Sequence, residues 1–304
     1  MNGFWFAFEV TPRCNLSCGY CYNAWRTPGN RVPGELALPE IRELFKSLRT
    51  DAPVSGVTLT GGEPLLRPDL SEIVAIAVEQ GFTVAVATNG TLLTSSIARE
   101  LRESGVRHFD IGIETPFAEV SGGIAGACAT GASVTLSLCL TSKSFGSAPE
   151  VVRLAAALGA DAVCLNRFVP TGRSTDADHL PSQTEINEVL RGAGRMGAEL
   201  SLPVYAGIPL EPCVFTNVNE FGIINTACHC GEGKWAIGPD GWLRTCEQSP
   251  VLLGSLLLER FSTLRELPAV KGFREATPFR ECRGCTALPS CGGGCRFLDG
   301  TERS

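Results

Sequence analysis

Between Phe4 and about Tyr205 short β-rich runs alternate with stretches of helical period, and that alternation restricts the fold more than any other feature. The strand candidates are Phe4–Val10, Val54–Thr60, Phe82–Thr88, His108–Ile113, Ser133–Leu140, Ala162–Arg167 and Leu202–Tyr205. Helix candidates lie between most of them: Leu38–Leu48, Asp69–Gln80, Thr94–Glu103, Pro149–Leu158 and Thr184–Gly197. Strands joined through helices pair in parallel, and the helices cover the sheet. Chemistry-bearing side chains then gather at the carboxyl ends of the strands. One crossover, Thr115 to Ala132, is expected to be shortened, because its Gly-rich run Ser121–Gly131 forms helix poorly. Prolines and lost periodicity around Leu202–Pro212 mark a boundary. The expected organisation is an α/β domain over 1–205 and a small Cys- and Gly-rich α+β domain over 206–304.

Composition removes several classes of function. A chain of 304 residues, 44% hydrophobic, can bury a large core. A net charge of −6 offers no basic footprint for nucleic acid or an anionic membrane. Met1 to Val10 lacks the basic flank and cleavage site of a signal peptide, and no apolar run approaches a membrane span. A cytoplasmic chain with 14 cysteines points to metal ligation more than to disulfides. Cys128, Cys139 and Cys164 stand in small or apolar surroundings and read as plain core residues.

Cys14, Cys18 and Cys21 are different, spaced three residues and then two on one loop, with Tyr20 before the last. Three such thiolates can hold three irons of a [4Fe-4S] cluster and leave the fourth iron without a protein ligand. A structural zinc site would want a fourth Cys or His, and the nearest histidine in sequence is His108. The second strand runs into Gly61-Gly62-Glu63-Pro64, where two glycines let backbone approach a ligand and Glu63 can accept from an ammonium group. As a bare run it is also a plausible turn.

The cysteine loop fits CxxxCxφC with Tyr20 at the aromatic position, and so resembles the radical S-adenosylmethionine (radical SAM) enzymes. The resemblance implies a partial (β/α)6 barrel, a [4Fe-4S] cluster on Cys14, Cys18 and Cys21, and S-adenosylmethionine (SAM) at its open iron. It implies that Gly61, Gly62 and Glu63 receive the amino group of SAM, that Tyr20 packs near the adenine, and that Asn89 of Thr88-Asn89-Gly90 lies near the active site. Glu114 would offer a polar side chain to ribose or substrate. Asn166–Arg173 resembles an NRxxPxGR segment of several members, through which Arg167 or Arg173 would pair with a carboxylate; a surface salt bridge is the competing account.

The last third is similar to the SPASM pattern of auxiliary-cluster enzymes, with Cys230, Gly241 and Cys246, then Cys282, Cys285, Cys291 and Cys295 in CxxCxxxxxCxxxC order. A hairpin over Lys234–Thr245 would bring Cys230 and Cys246 together. By the resemblance, Cys230, Cys246 and Cys295 join one more ligand at a first auxiliary cluster, with Cys228 the leading candidate and Cys213 the reserve. Cys282, Cys285 and Cys291 bind a second. The run ends at Ser304 without the pattern's final cysteine, leaving Asp299, Glu302, Cys213 or an open iron to stand in. A zinc ribbon is the alternative for Cys282, Cys285, Cys291 and Cys295. Glu247, directly after Cys246, takes the place of a general base near the substrate in some relatives.

The implied reaction is reductive cleavage of SAM and hydrogen abstraction from a substrate. A peptide side chain is the favoured substrate, to be crosslinked, epimerised or oxidised, and a tetrapyrrole side chain is the alternative. From another class, a zinc-stabilised binding module would use every cysteine structurally. An electron donor is required. With thirteen residues before Cys14, a leader peptide is expected to be held by a separate recognition protein or by the cleft itself.

Overall fold

β-branched and aromatic residues in period-two runs give β1 (Phe4–Thr11), and the helical period beyond it gives α1 (Leu38–Asp51), whose Ile41, Leu44, Phe45 and Leu48 are buried. The same logic continues through β2 (Val54–Gly61), α2 (Leu70–Glu79), β3 (Thr83–Thr88), α3 (Ser95–Ser104), β4 (Val106–Gly112), α4 (Ser121–Cys128), β5 (Ser133–Leu140), α5 (Ala148–Leu158), β6 (Ala162–Arg167), α6 (Gln183–Glu199), β7 (Val204–Ala206) and β8 (Ile223–Ile224). The computed structural model describes residues 3–27, 29–114, 117–173, 180–215, 218–277 and 279–298. Asp299 and Glu302, considered above as cluster ligands, lie outside the described residues.

β1 to β8 are parallel, each paired with its successor. The fold is α/β, a partial (β/α) barrel with a Cys-rich region after it. The fourth crossover does carry a helix, the eight-residue α4, shorter than α1, α2, α3, α5 and α6. Its glycines serve by giving room: a Cβ on Gly123 would stand 2.3 Å from the Leu93 carbonyl, and one on Gly126 2.4 Å from Ser95 Oγ. Close approach, rather than propensity, is why this helix forms where it does.

After β8 the chain forms β9 (Lys234–Ile237), β10 (Trp242–Arg244), β11 (Gly254–Ser255), α7 (Phe261–Leu264), α8 (Pro268–Glu275) and α9 (Leu288–Cys291). The expected hairpin exists as antiparallel β9 and β10. It is also part of the main sheet: β9 pairs in parallel with β1, Phe8 opposite Ile237, so among the described residues one sheet of eleven strands runs from β11 to β8. Phe261 of α7 seals the join, its ring 5.1 Å from Phe4, Phe6 and Trp235. Edge-to-face contacts of this kind add about 1 kcal/mol each to the burial itself.

Candidate active site

The cysteine loop hangs from the carboxyl end of β1 and is tied to the end of β2. Gly62 and Glu63 donate their amides to the carbonyls of Thr11 and Arg13, each at 2.8 Å, and Asn23 Nδ2 donates to the Gly61 carbonyl at 2.9 Å. A Cβ on Gly62 would lie 2.0 Å from the Arg13 carbonyl, so the second glycine is fixed by the packing of the two loops. Arg67, 6% exposed, braces the base by donating to the Val10 and Leu36 carbonyls at 3.1 Å and to both oxygens of Asp69.

Glu63 is fully buried at the ends of β2 and β3. Its carboxylate accepts from Thr88 Oγ1 at 2.6 Å, Asn89 N at 2.8 Å and Leu65 N at 3.0 Å. Burial raises its pKa in spite of these bonds. All three donors are neutral, and a carboxylate has room for about four. A cationic ammonium at the remaining position would hold it ionised. Asn89 also reaches Asn15 at 2.9 Å, and its Nδ2 stands 4.0 Å from Cys14 Sγ.

Cys14, Cys18 and Cys21 are half-buried. Burial pushes the Cys18 thiol up to about 12, with Glu114, Cys21 and Cys14 adding to it. Iron in a cluster would take the place of the Cys18 proton, since metal binding displaces protons from thiol ligands. Beside it opens a cavity of about 460 Å³, bounded by Cys18, Tyr20, Glu114, Cys139, Thr141 and Lys143. Tyr20 donates its hydroxyl to Glu114, and burial followed by that carboxylate raises its pKa. The donor set and the adjoining cavity fit a cluster with a ligand on its open side.

The inner face of the barrel is polar. On β4 to β6 buried residues alternate with half-exposed ones, the latter including Asp110, Ser137, Cys139, Cys164 and Asn166, and Thr58 of β2 is half-exposed as well. Cys139 and Cys164 therefore face the lumen instead of sitting in the core, because the period-two alternation turns them away from the helices. Ser137 donates to Asp110 at 2.5 Å, and burial raises the Asp110 carboxyl. A carboxyl held above its unfolded value binds its proton more tightly in the fold, so it stabilises at low pH and the gain is lost as pH rises through the raised value. Asp110→Asn is expected to gain stability relative to wild type in urea melts as pH rises above the ordinary aspartate value of 3.8, where the wild-type carboxyl must be held protonated or ionised at a cost. Parallel pH profiles for the two proteins would contradict this assignment.

The C-terminal cysteines separate into two cavities. One, of about 250 Å³, is lined by Cys228, Cys230, Cys246 and Cys295 together with Lys234 and Glu247. Cys230 Sγ, Cys246 Sγ and a Glu247 oxygen lie within 4.8 Å of one another. The neighbouring Cys230 thiol and burial raise Cys228; burial raises Cys295 to about 11. The Cys228 thiol draws Cys230 down, but Cys246 and burial outweigh it. Burial opposes ionisation of Glu247, yet the Lys234 ammonium, 2.9 Å away, outweighs it and holds the carboxyl below the usual range. The second cavity, also about 250 Å³, is lined by Cys213, Cys282, Cys285 and Cys291 with Phe279 and Leu288.

Arg167 reaches a carboxylate of the chain's own: it donates to Glu211 at 2.5 Å, with both side chains at most 2% exposed. Arg173 is exposed, and its amide donates to the Cys21 carbonyl at 2.9 Å. Sequence reasoning missed Asn23, Thr88, Lys234 and Glu211. Lys234 was legible in principle, since it opens the hairpin whose far strand leads to Glu247, which the sequence did single out. Glu211 carries no local signal at all.

The profile of the radical SAM superfamily matches residues 8–133. The AdoMet-dependent heme synthase of Methanosarcina barkeri is 28% identical over 96% of this chain and 88% of its own length. The mycofactocin maturase MftC of Mycobacterium tuberculosis is 28% identical over 95% of this chain and 77% of its own. Streptococcus suis SuiB bound to precursor peptide SuiA superposes with a TM-score of 0.78 at 15% identity, covering 99% of this chain and 76% of that one.

Proposed function

This chain belongs to the radical SAM superfamily, in its SPASM-type subgroup, and from that premise we propose that it modifies a peptide side chain. Its membership makes it an enzyme that uses a [4Fe-4S] cluster, SAM and auxiliary clusters, and the zinc-stabilised binding module is set aside. Bound together, cluster and SAM supply a 5′-deoxyadenosyl radical able to take hydrogen from unactivated carbon.

In this reading residues 1–205 carry the radical chemistry and residues 206–304 the auxiliary sites. Cys14, Cys18 and Cys21 hold three irons. Glu63 takes the ammonium of SAM, Gly61 and Gly62 let it approach, and Asn89 orients the loop beside Cys14. Tyr20 and Glu114, linked by a hydrogen bond, close the cavity against water. Arg173, exposed and with its amide on the Cys21 carbonyl, is not held in a buried pair as Arg167 is and is the one of the two suited to a substrate carboxylate. Glu247, ionised beside Lys234, is the group placed to receive a proton near the first auxiliary site.

The observation that carries the peptide reading is the polar lumen. Short hydroxyl, amide, carboxyl and thiol side chains suit the amides of an extended backbone, whereas a propionate-bearing tetrapyrrole would want apolar walls and several cations. The maturase relative and the peptide-bound neighbour support it. The heme synthase relatives favour the tetrapyrrole as second reading. The test is deoxyadenosine formation by the anaerobically reconstituted, reduced enzyme, with candidate precursor peptides or a tetrapyrrole added. A rise with peptide, together with a mass change on one side chain, is expected; a rise with the tetrapyrrole alone would overturn the reading. Adding the enzyme's natural electron donor and any separate leader-binding protein should raise the rate without changing which substrate responds.

A further inference from the structure

We propose that Cys213 completes a second four-thiol site with Cys282, Cys285 and Cys291, distinct from the site of Cys228, Cys230, Cys246 and Cys295. The inference rests on reading the C-terminal region as a carrier of auxiliary clusters and says which thiols belong to which. The two cavities described above share no lining residue, and each holds four sulfurs. Four thiols are a complete ligand set for an iron-sulfur cluster.

The turn that presents Cys213 is pinned on all sides. Glu211 is held from β6 by Arg167, and its carbonyl accepts from Val214 N at 2.9 Å and Phe215 N at 2.8 Å. Val214 and Phe215 are buried, and Asn225 clamps Leu210 by accepting from its amide at 3.0 Å and donating to its carbonyl at 2.9 Å. An exposed thiol on so fixed a turn is positioned for a ligand. Opposite it, Cys285 N donates to the Cys282 carbonyl at 3.2 Å, which sets the CxxC turn, and Cys291 ends α9.

Cys291 and Cys295 are separated only by Gly292, Gly293 and Gly294, with φ of 66°, 80° and 81°. Three successive left-handed residues are accessible to glycine alone at low cost, and they turn the chain so that Cys291 enters one cavity and Cys295 the other. Gly294 lies on the Glu211 carboxylate, where a Cβ would come within 1.9 Å of Oε1. The Arg167–Glu211 pair is thereby a wall between the two sites. Glu211 itself borders the second cavity, but its bond to Arg167 holds it as wall, and a thiolate is the softer donor for iron.

The test is alkylation of the reconstituted holoprotein with iodoacetamide under anaerobic conditions, read peptide by peptide by mass spectrometry alongside iron content. A cluster-bound thiolate is shielded from the reagent, and its release should raise alkylation about tenfold or more. Cys213 is expected to be protected in wild type and labelled in Cys282→Ser/Cys285→Ser/Cys291→Ser, where Cys228 stays protected. Conversely, Cys228→Ser/Cys230→Ser/Cys246→Ser should leave Cys213 protected. Cys213→Ser alone should alter the paramagnetic resonance signal that the Cys282 triple variant lacks and leave the other auxiliary signal unchanged. Labelling of Cys213 in wild type while Cys282, Cys285 and Cys291 are protected would overturn the assignment alone. Labelling of all four in iron-loaded wild type would overturn it together with the second cluster.

Discussion

Alanine at Cys14, Cys18 and Cys21 together will lower deoxyadenosine formation to less than about a thousandth of wild type, a loss of ~4 kcal/mol or more in transition-state stabilisation. About four irons per chain should leave with it. The fold should survive, because the loop is held by groups other than the thiols. Arg26 Nη2 donates to the Leu16 carbonyl at 2.6 Å, Asn23 to Gly61, and Arg173 N to the Cys21 carbonyl. Half-buried sulfurs removed from such a loop leave little cavity, so the melting temperature should move by only a few degrees. Deoxyadenosine at wild-type rate, or undiminished iron, would remove the cluster from these residues.

The largest effect on stability will come from Arg244. Its guanidinium, 2% exposed, is paired with fully buried Glu9 of β1, donates to the carbonyls of Glu247 at 3.0 Å and Ser249 at 3.2 Å, and lies 5.4 Å from the Trp25 ring. Burial pushes Glu9 up to about 8 even against the opposing charge of Arg244. Arg244→Ala leaves a carboxyl in the core and two carbonyls without donors, and should cost about 3–5 kcal/mol in urea or guanidinium unfolding. The double variant Glu9→Leu/Arg244→Met should recover much of that loss, since an apolar pair can replace a buried ion pair. Equal losses in the single and double variants would mean that the guanidinium matters through its carbonyl bonds rather than through Glu9.

Much of the barrel was legible because its strands combine local signals that agree. Ser133–Leu140 and Ala162–Arg167 stand in the structure with the boundaries read from sequence, as β-branched and apolar runs bounded by turn residues should. α4 was harder, since its glycines weaken propensity while making room for neighbours that only tertiary structure supplies. Cys139 and Cys164 were misread because their surroundings in sequence are apolar, while the face they occupy depends on strand register. The union of β9 with β1 was hidden for another reason: four residues late in the chain carry no mark of the partner they will find near its beginning. That Cys213 lines one cavity with Cys282, Cys285 and Cys291 was half legible: the sequence offered it among several stand-ins for the missing cysteine, and only the tertiary fold brings it there, whereas the Cys14 loop and Gly61–Glu63 were plain because each is contiguous.

The position of β1 between β2 and β9 also governs how the chain is made. During synthesis β1 and β2 can pair early, yet the other side of β1, from Trp5 to Phe8, waits for Lys234–Ile237 to leave the ribosome. Until then an apolar strand edge, with Phe4 and Phe6 lacking the Phe261 that later covers them, is open to strands of other chains. A nascent chain truncated before β9 should therefore aggregate through its own first strand, and its soluble yield should depend on chaperone supply far more than that of the completed protein.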